Sequence, residues 1–263
     1  MTMKHYALIG EKLGHSLSVP IHEAIFRILG IDADYRLIEI PRDELNTTVP
    51  LLLQELDGFN VTIPYKKEVI PMLDDIDPFA ADIGAVNTVL CSSPSCGFNT
   101  DAPGFTAMLH HFGIDPCGKP AYVLGGGGSS LTALSVLRKL GASSIKVVSR
   151  TPRADNQISY DEFHRLFPST CGVIINTTPV GMWPKVDGCP IDPSVLQYAD
   201  GVADIIYNPP QTVLTAAAKA AGIPACTGLY MLIDQAVKAE AIWQQMDMPN
   251  HLTDTLMKEL KLL

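Results

Sequence analysis

The stretch Tyr122-Val123-Leu124-Gly125-Gly126-Gly127-Gly128-Ser129-Ser130 restricts the fold more than any other part of the chain. It reads as a short apolar strand, a glycine turn and the start of a helix. Leu131, Leu134, Leu137 and Leu140 recur at helical spacing, with Gly141 as the C-cap. A second apolar run, Ile145 to Val148, ends in Ser149-Arg150-Thr151. The whole is a βαβ unit of about 30 residues. The glycines let the backbone approach a pyrophosphate, and the helix N-terminus supplies N–H groups and a positive dipole to hold it. Gly125-x-Gly127-x-x-Ser130 has Ser where the dinucleotide fingerprint has Gly or Ala, a residue still small enough for close helix–strand contact. A lone glycine run is an ordinary flexible loop, but strand, turn, helix and second strand in sequence indicate a nucleotide site. An acidic residue closing the second strand would favour NAD. Arg150 and Arg153 stand there instead and suit a 2′-phosphate, which favours NADP; the alternative is a solvated turn.

The 263 residues allow one large domain or two ordinary ones. A hydrophobic content of 47% with 18% charged residues describes a soluble globular protein with ample core. The net charge of -9 argues against a nucleic-acid partner and against an anionic membrane surface. No apolar run is long enough to span a bilayer, and that of Met1 to Gly10 is too short for a signal peptide. Cys91, Cys96, Cys117, Cys171, Cys189 and Cys226 form no C-x-x-C pair and no metal-ligand spacing. They read as reduced thiols of a cytoplasmic protein without a metal.

The first half alternates strand and helix. Tyr6–Ile9, Tyr35–Ile40, Phe59–Ile63 and Ala85–Leu90 are expected strands, and Gly97–Thr100 can pair back on the last. Helices are expected at Pro20–Leu29, Asp43–Leu56 and Lys66–Leu73. After the glycine turn, Tyr160–Phe167, Thr212–Ala221, Leu229–Met246 and a segment from Thr253 read as helices. Gly172–Asn176 and Gly201–Tyr207 read as strands. This is an α/β pattern with a largely parallel sheet.

Several strand ends carry polar residues, where α/β proteins bind ligands. Ser16 and Ser18 face the same way in an extended segment and can hold a carboxylate, unless one simply caps the following helix. Lys66 follows Pro64, which stops a strand; it can meet a substrate or remain solvated like Lys67. Asp101 precedes the expected turn Ala102-Pro103-Gly104 near a domain junction, and its plainer role is an N-cap.

These segments together resemble the shikimate dehydrogenase family. The resemblance lies in His15-Ser16-Leu17-Ser18 with His22, Asn60-Val61-Thr62-Ile63-Pro64-Tyr65-Lys66, Gly84-Ala85-Val86-Asn87-Thr88 and Asn99-Thr100-Asp101-x-x-Gly104-Phe105. It continues through Ser149-Arg150-Thr151, Asn176-Thr177-Thr178-Pro179-Val180-Gly181-Met182, Asp204-Ile205-Ile206-Tyr207-Asn208-Pro209 and Gly228-x-x-Met231-Leu232-x-x-Gln235-Ala236. Many motifs in order over nearly the whole chain are far more specific than any one. The chain departs from the family pattern at Val19, which shifts the proline to Pro20, at Glu23 and at Ser149.

The resemblance implies two domains: an α/β substrate domain of residues 1–101 and 229–263, and a Rossmann-type NADP-binding domain of residues 102–228. It implies reversible NADPH-dependent reduction of 3-dehydroshikimate to shikimate, in chorismate and aromatic amino acid biosynthesis. Lys66 and Asp101 would be the acid/base pair. Ser16 and Ser18, with Tyr207, would take the carboxylate, and Thr62, Asn87 and Gln235 the ring hydroxyls. Gly125, Gly126, Gly127, Gly128, Ser129 and Ser130 would hold the pyrophosphate. Arg150, Thr151 and Arg153 would meet the 2′-phosphate, with Ser149, Thr177, Gly228 and Met231 completing the cofactor set. A monomer or a homodimer fits. Two alternatives stay open: a quinate or quinate/shikimate dehydrogenase using NAD, and a non-catalytic NADP-binding sensor.

Overall fold

A computed structural model describes residues 3–14 and 16–260. His15 of the first motif lies outside the described residues. The chain divides into two compact units, Met1–Pro103 with Ile233–Leu263, and Gly104–Leu232.

The first unit begins with β1 (Lys4–Gly10), α1 (Ser18–Leu29), β2 (Ala33–Glu39), α2 (Leu45–Glu55) and β3 (Gly58–Val61). It continues with β4 (Asp75–Ile76), α3 (Pro78–Ile83), β5 (Thr88–Leu90) and β6 (Cys96–Phe98), and α4 (Asp101–His111) starts in it. The sheet order is β2-β1-β3-β5-β6-β4. β1 runs parallel to β2 and β3, while β5 pairs antiparallel with β3 and β6. Tyr6 through Gly10 are all buried, as expected of a central strand covered on both faces. α1 buries Ile21, Ala24, Ile25 and Phe26 at helical spacing and ends where Gly30, at φ 68°, donates its N–H to the Phe26 carbonyl.

The second unit contains β7 (Pro120–Leu124), α5 (Gly128–Lys139), β8 (Ser144–Val148), β9 (Gln157–Ile158), α6 (Tyr160–Thr170) and β10 (Gly172–Asn176). It closes with β11 (Ala199–Asp204), α7 (Val213–Ala220) and β12 (Ala225–Cys226). Its order, β12-β11-β10-β7-β8-β9, is parallel throughout. Counted within the unit this is 3-2-1-4-5-6, the doubly wound dinucleotide order, whose switch point lies between β7 and β10. α8 (Leu229–Gln244) leaves this unit and carries the chain back to the first, where α9 (Leu252–Glu259) follows.

Trp243 of α8 stacks on Tyr6 at 4.5 Å and donates its indole N–H to the Val89 carbonyl at 2.9 Å. Gly58 opposite Tyr6 makes room for it, because a Cβ there would stand 2.3 Å from the indole nitrogen.

Two expected elements differ. Residues 66–73 form turns and a short 3-10 stretch, Ile70–Met72, not a helix. Pro71 has no N–H to extend a helix and disfavours helical backbone at Ile70. Conversely, Ala102-Pro103-Gly104 is not a turn but the first turn of α4, where a proline needs no N–H partner.

Candidate functional site

In the first unit Tyr65 anchors the loop after β3: it is buried and its hydroxyl donates to the Ile40 carbonyl at 2.5 Å. The next residue, Lys66, is thereby held with its Nζ 2.6 Å from Asp101 Oδ2. Both side chains keep partial solvent access, 29% for Lys66 and 14% for Asp101. Asp101 does not cap α4. Asn99 Oδ1 accepts the Ala102 N–H at 3.1 Å, leaving the Asp101 carboxylate to the lysine.

Ser16 and Ser18 come together, but not by strand alternation. Leu17, at φ −87° and ψ 1°, turns the chain into α1 and brings the two hydroxyl oxygens to 3.1 Å. Ser16 Oγ also accepts the Ser18 N–H at 3.2 Å, so one serine does help to start the helix.

Asn87 is buried in a polar group that motif reading left largely unassigned. Its Oδ1 accepts the Thr100 N–H at 2.7 Å, and its Nδ2 donates to Thr100 Oγ1 at 3.0 Å and to Gln235 Oε1 at 3.4 Å. Asn60 Nδ2 donates to the Asn87 carbonyl at 3.1 Å and to Thr88 Oγ1 at 3.0 Å. Thr62 is half-buried, its N–H given to the Ile9 carbonyl at 2.9 Å. Lys66, Asp101, Ser16, Ser18, Thr62, Asn87 and Gln235 all belong to this unit.

Gly125 through Ser130, Ser149 through Arg153, Thr177, Tyr207, Gly228 and Met231 belong to the second unit. Gly125 takes φ 91° and donates its N–H to the Val148 carbonyl. Gly126, Gly127 and Gly128 are exposed, and a Cβ on Gly127 or Gly128 would meet nothing within 4 Å. Among the described residues no side chain caps α5. Ser130 faces inward and donates to the Gly127 carbonyl at 2.6 Å, closing the turn. An open glycine surface at an uncapped helix N-terminus fits a pyrophosphate. Arg150, Thr151 and Arg153 are exposed beyond β8, with no acidic residue between Val148 and Ala154. Ser149 Oγ accepts the Thr151 N–H at 3.2 Å. Thr177 Oγ1 donates to the Leu124 carbonyl at 2.7 Å, beside the switch point. Met231 is half-buried in α8 and Gly228 is buried before it; a Cβ on Gly228 would lie 2.1 Å from the Ile205 carbonyl oxygen. Tyr207 is half-buried, and burial raises its phenol pKa.

Asp204, at the end of β11, is fully buried. Its carboxylate accepts from Asn176 Nδ2 at 3.0 Å, Ile206 N at 3.1 Å and Thr212 Oγ1 at 2.8 Å. Burial pushes its pKa up to about 6, against the hydrogen bonds that lower it. It ties together the loops carrying Thr177 and Tyr207. The sequence signal was present, since Asn176 and Asp204 each open a motif. Among the described residues no His/Cys/Asp/Glu group could hold a metal ion. No helix among them is long and apolar enough to cross a membrane.

Residues 8–89 match the family described as the shikimate dehydrogenase substrate binding domain. A shikimate dehydrogenase (NADP(+)) of Clostridium beijerinckii is 38% identical, with 97% of each chain covered. A chorismate mutase/shikimate 5-dehydrogenase fusion protein from Clostridium acetobutylicum has a crystal structure that superposes with a TM-score of 0.94. It is 39% identical, covering 99% of this chain and 98% of that one. The shikimate 5-dehydrogenase of Thermus thermophilus, solved in complex with NADP(H) and shikimate, gives a TM-score of 0.86 at 29% identity. It covers 99% of this chain and 100% of that one.

Proposed function

The chain belongs to the shikimate dehydrogenase family, and from that premise we propose that it catalyses the reversible NADPH-dependent reduction of 3-dehydroshikimate to shikimate. The product serves chorismate and aromatic amino acid biosynthesis. The observation that carries the reading is the Lys66–Asp101 pair, 2.6 Å apart with both side chains still open to solvent.

Lys66 donates a proton to the ketone oxygen of 3-dehydroshikimate as the carbonyl carbon is reduced, and recovers it in the oxidation direction. Asp101 holds the ammonium by a charge-assisted hydrogen bond and accepts from the hydroxyl that forms. Ser16 and Ser18 receive the substrate carboxylate with two neutral donors, together with the Tyr207 hydroxyl. Thr62, Asn87 and Gln235 orient the ring hydroxyls.

NADPH, when bound, supplies the hydride. Gly125 to Ser130 would hold its pyrophosphate, and Arg150, Thr151 and Arg153 its 2′-phosphate. Ser149 shapes that turn through Thr151. Thr177 and Gly228 would complete the cofactor set, and Met231 would lie near the nicotinamide. We place the enzyme in the cytoplasm, as a monomer or homodimer.

The test is to incubate the protein with shikimate and NADP⁺, follow reduced nicotinamide by absorbance, and repeat with quinate and with NAD⁺. Turnover confined to shikimate and NADP⁺ supports the reading. Preference for quinate or NAD⁺ assigns the chain to quinate or dual-substrate dehydrogenases. NADPH binding without turnover of either acid indicates a sensor.

A further inference from the structure

Behind the polar groups of the first unit lies a second, wholly buried array. His22 Nδ1 on α1 donates to Glu240 Oε1 on α8 at 2.6 Å, and neither side chain has any solvent exposure. The other Glu240 oxygen accepts from Gln244 Nε2 at 3.0 Å. The His22 ring lies flat on the Tyr35 ring, with centroids 4.0 Å apart and planes 7° apart. The Tyr35 hydroxyl then donates to Asn60 Oδ1 at 2.7 Å. From Asn60 Nδ2 a bond passes to Thr88 Oγ1 at 3.0 Å, from Thr88 Oγ1 to Asn87 Oδ1 at 3.2 Å, and from Asn87 Nδ2 to Thr100 and Gln235. The array thus ends on Asn87 and Gln235.

Stability alone is a poor reason for this arrangement. A buried carboxylate carries a desolvation penalty, and apolar residues of similar volume fill such space at least as well. Among the described residues His22 Nε2 finds no hydrogen-bond partner, a further cost that an aliphatic residue would avoid. What an aliphatic core could not supply is direction. The Glu240 bond fixes the His22 ring, and the ring stack fixes Tyr35. Its hydroxyl, by giving its hydrogen to Asn60 Oδ1, fixes which way the Asn60 amide faces.

We propose that Glu240, His22 and Tyr35 are positioning residues. They set the Asn60 amide and, through Thr88, the Asn87 amide that meets the ring hydroxyls of a hydroxylated cyclic acid. This rests on the reading of those groups as the substrate site. None of the three touches substrate: Tyr35 is 5% exposed and the other two not at all.

Tyr35→Phe keeps the ring stack and removes only the hydroxyl. Its shikimate KM should rise about tenfold, the equivalent of one lost hydrogen bond, with the NADP⁺ KM within about twofold of wild type. Glu240→Gln keeps an acceptor for His22 and should stay within about twofold in shikimate KM. Glu240→Leu removes the acceptor and should reproduce the Tyr35→Phe rise; if it fails to fold, Tyr35→Phe and Glu240→Gln still decide. An unchanged shikimate KM in Tyr35→Phe overturns the positioning role. So does an equal rise in both KM values, which is the mark of general loosening. Absence of turnover in the wild-type protein overturns both this and the reading beneath it. Wild-type turnover with an unaffected Tyr35→Phe overturns this one alone.

Discussion

Asn99 accepts the Ala102 N–H that opens α4, at 3.1 Å, and its amide nitrogen donates to the Ala85 carbonyl at 2.9 Å. Capping and ion pairing therefore fall to different residues of one Asn-Thr-Asp run. Asp101→Asn should leave the thermal midpoint nearly unchanged while lowering kcat by about 10²-fold or more. Asn99→Ala should show the opposite balance, with stability reduced by about 1–2 kcal/mol in denaturant unfolding.

Lys66→Ala should lower kcat by about 10²–10⁴-fold with little change in shikimate KM, because its proton moves only in the reaction step. Steady-state kinetics in the oxidation direction measures this. Equal losses in kcat and KM would refute the acid/base role.

Two glycines should respond in opposite ways. Gly127→Ala meets open space at φ −81°, so unfolding should change by no more than about 1 kcal/mol. The added methyl would stand where the pyrophosphate approaches, and the NADPH KM should rise roughly tenfold or more. Gly172 sits at φ 113° with the Pro120 carbonyl oxygen 2.1 Å from an added Cβ. Gly172→Ala should cost at least about 3 kcal/mol of stability.

Arg150→Ala should raise the NADPH KM by roughly 10–100-fold and leave NADH use almost unchanged, since only the 2′-phosphate distinguishes the two. A variant with unaltered NADPH affinity would remove Arg150 from the cofactor set.

Asp204 gives the fold a pH dependence of defined sign. Its pKa is about 6 in the folded protein against an ordinary 3.8. The folded state therefore binds this proton more tightly, and its contribution to stability is complete below pH 3.8. It is lost as pH rises through about 6. Across that window wild type should lose roughly 3 kcal/mol more than Asp204→Asn, measured by denaturant unfolding at several pH values. Parallel pH curves would show that the carboxyl is not burdened by burial. The charged or titratable groups around it are the Cys226 and Cys189 thiols and, beyond Cys226, Lys219.

Much of the second unit was readable because local signals agreed. The β7 strand, the glycine turn, the leucine spacing of α5 and the β8 strand each pointed to one βαβ unit. The expected strand at residues 172–176 coincides with β10. Proline misled in both directions: Pro71 stopped the helix expected at residues 66–73, and Pro103 began one that looked like a turn. The Ser16–Ser18 proximity was expected from extended backbone and arises from a turn at Leu17. The buried arrays around Tyr35 and Asp204 were not legible as arrays. Glu240 and His22 are 218 residues apart, and only tertiary packing brings such partners together. Their residue types alone look like exposed helix surface and an isolated polar strand end.

The return of α8 to the first unit imposes an order on the chain's own assembly. Tyr6, Gly58 and His22 leave the ribosome before the 104–232 unit, and Trp243 and Glu240, which pack against them, after it. Between them the whole 104–232 unit must be translated, a delay on the order of ten seconds. Until then the groove cut by Gly58 and the Nδ1 of His22 wait without their partners. The unit begun before residue 104 therefore closes only after residue 232 has been made.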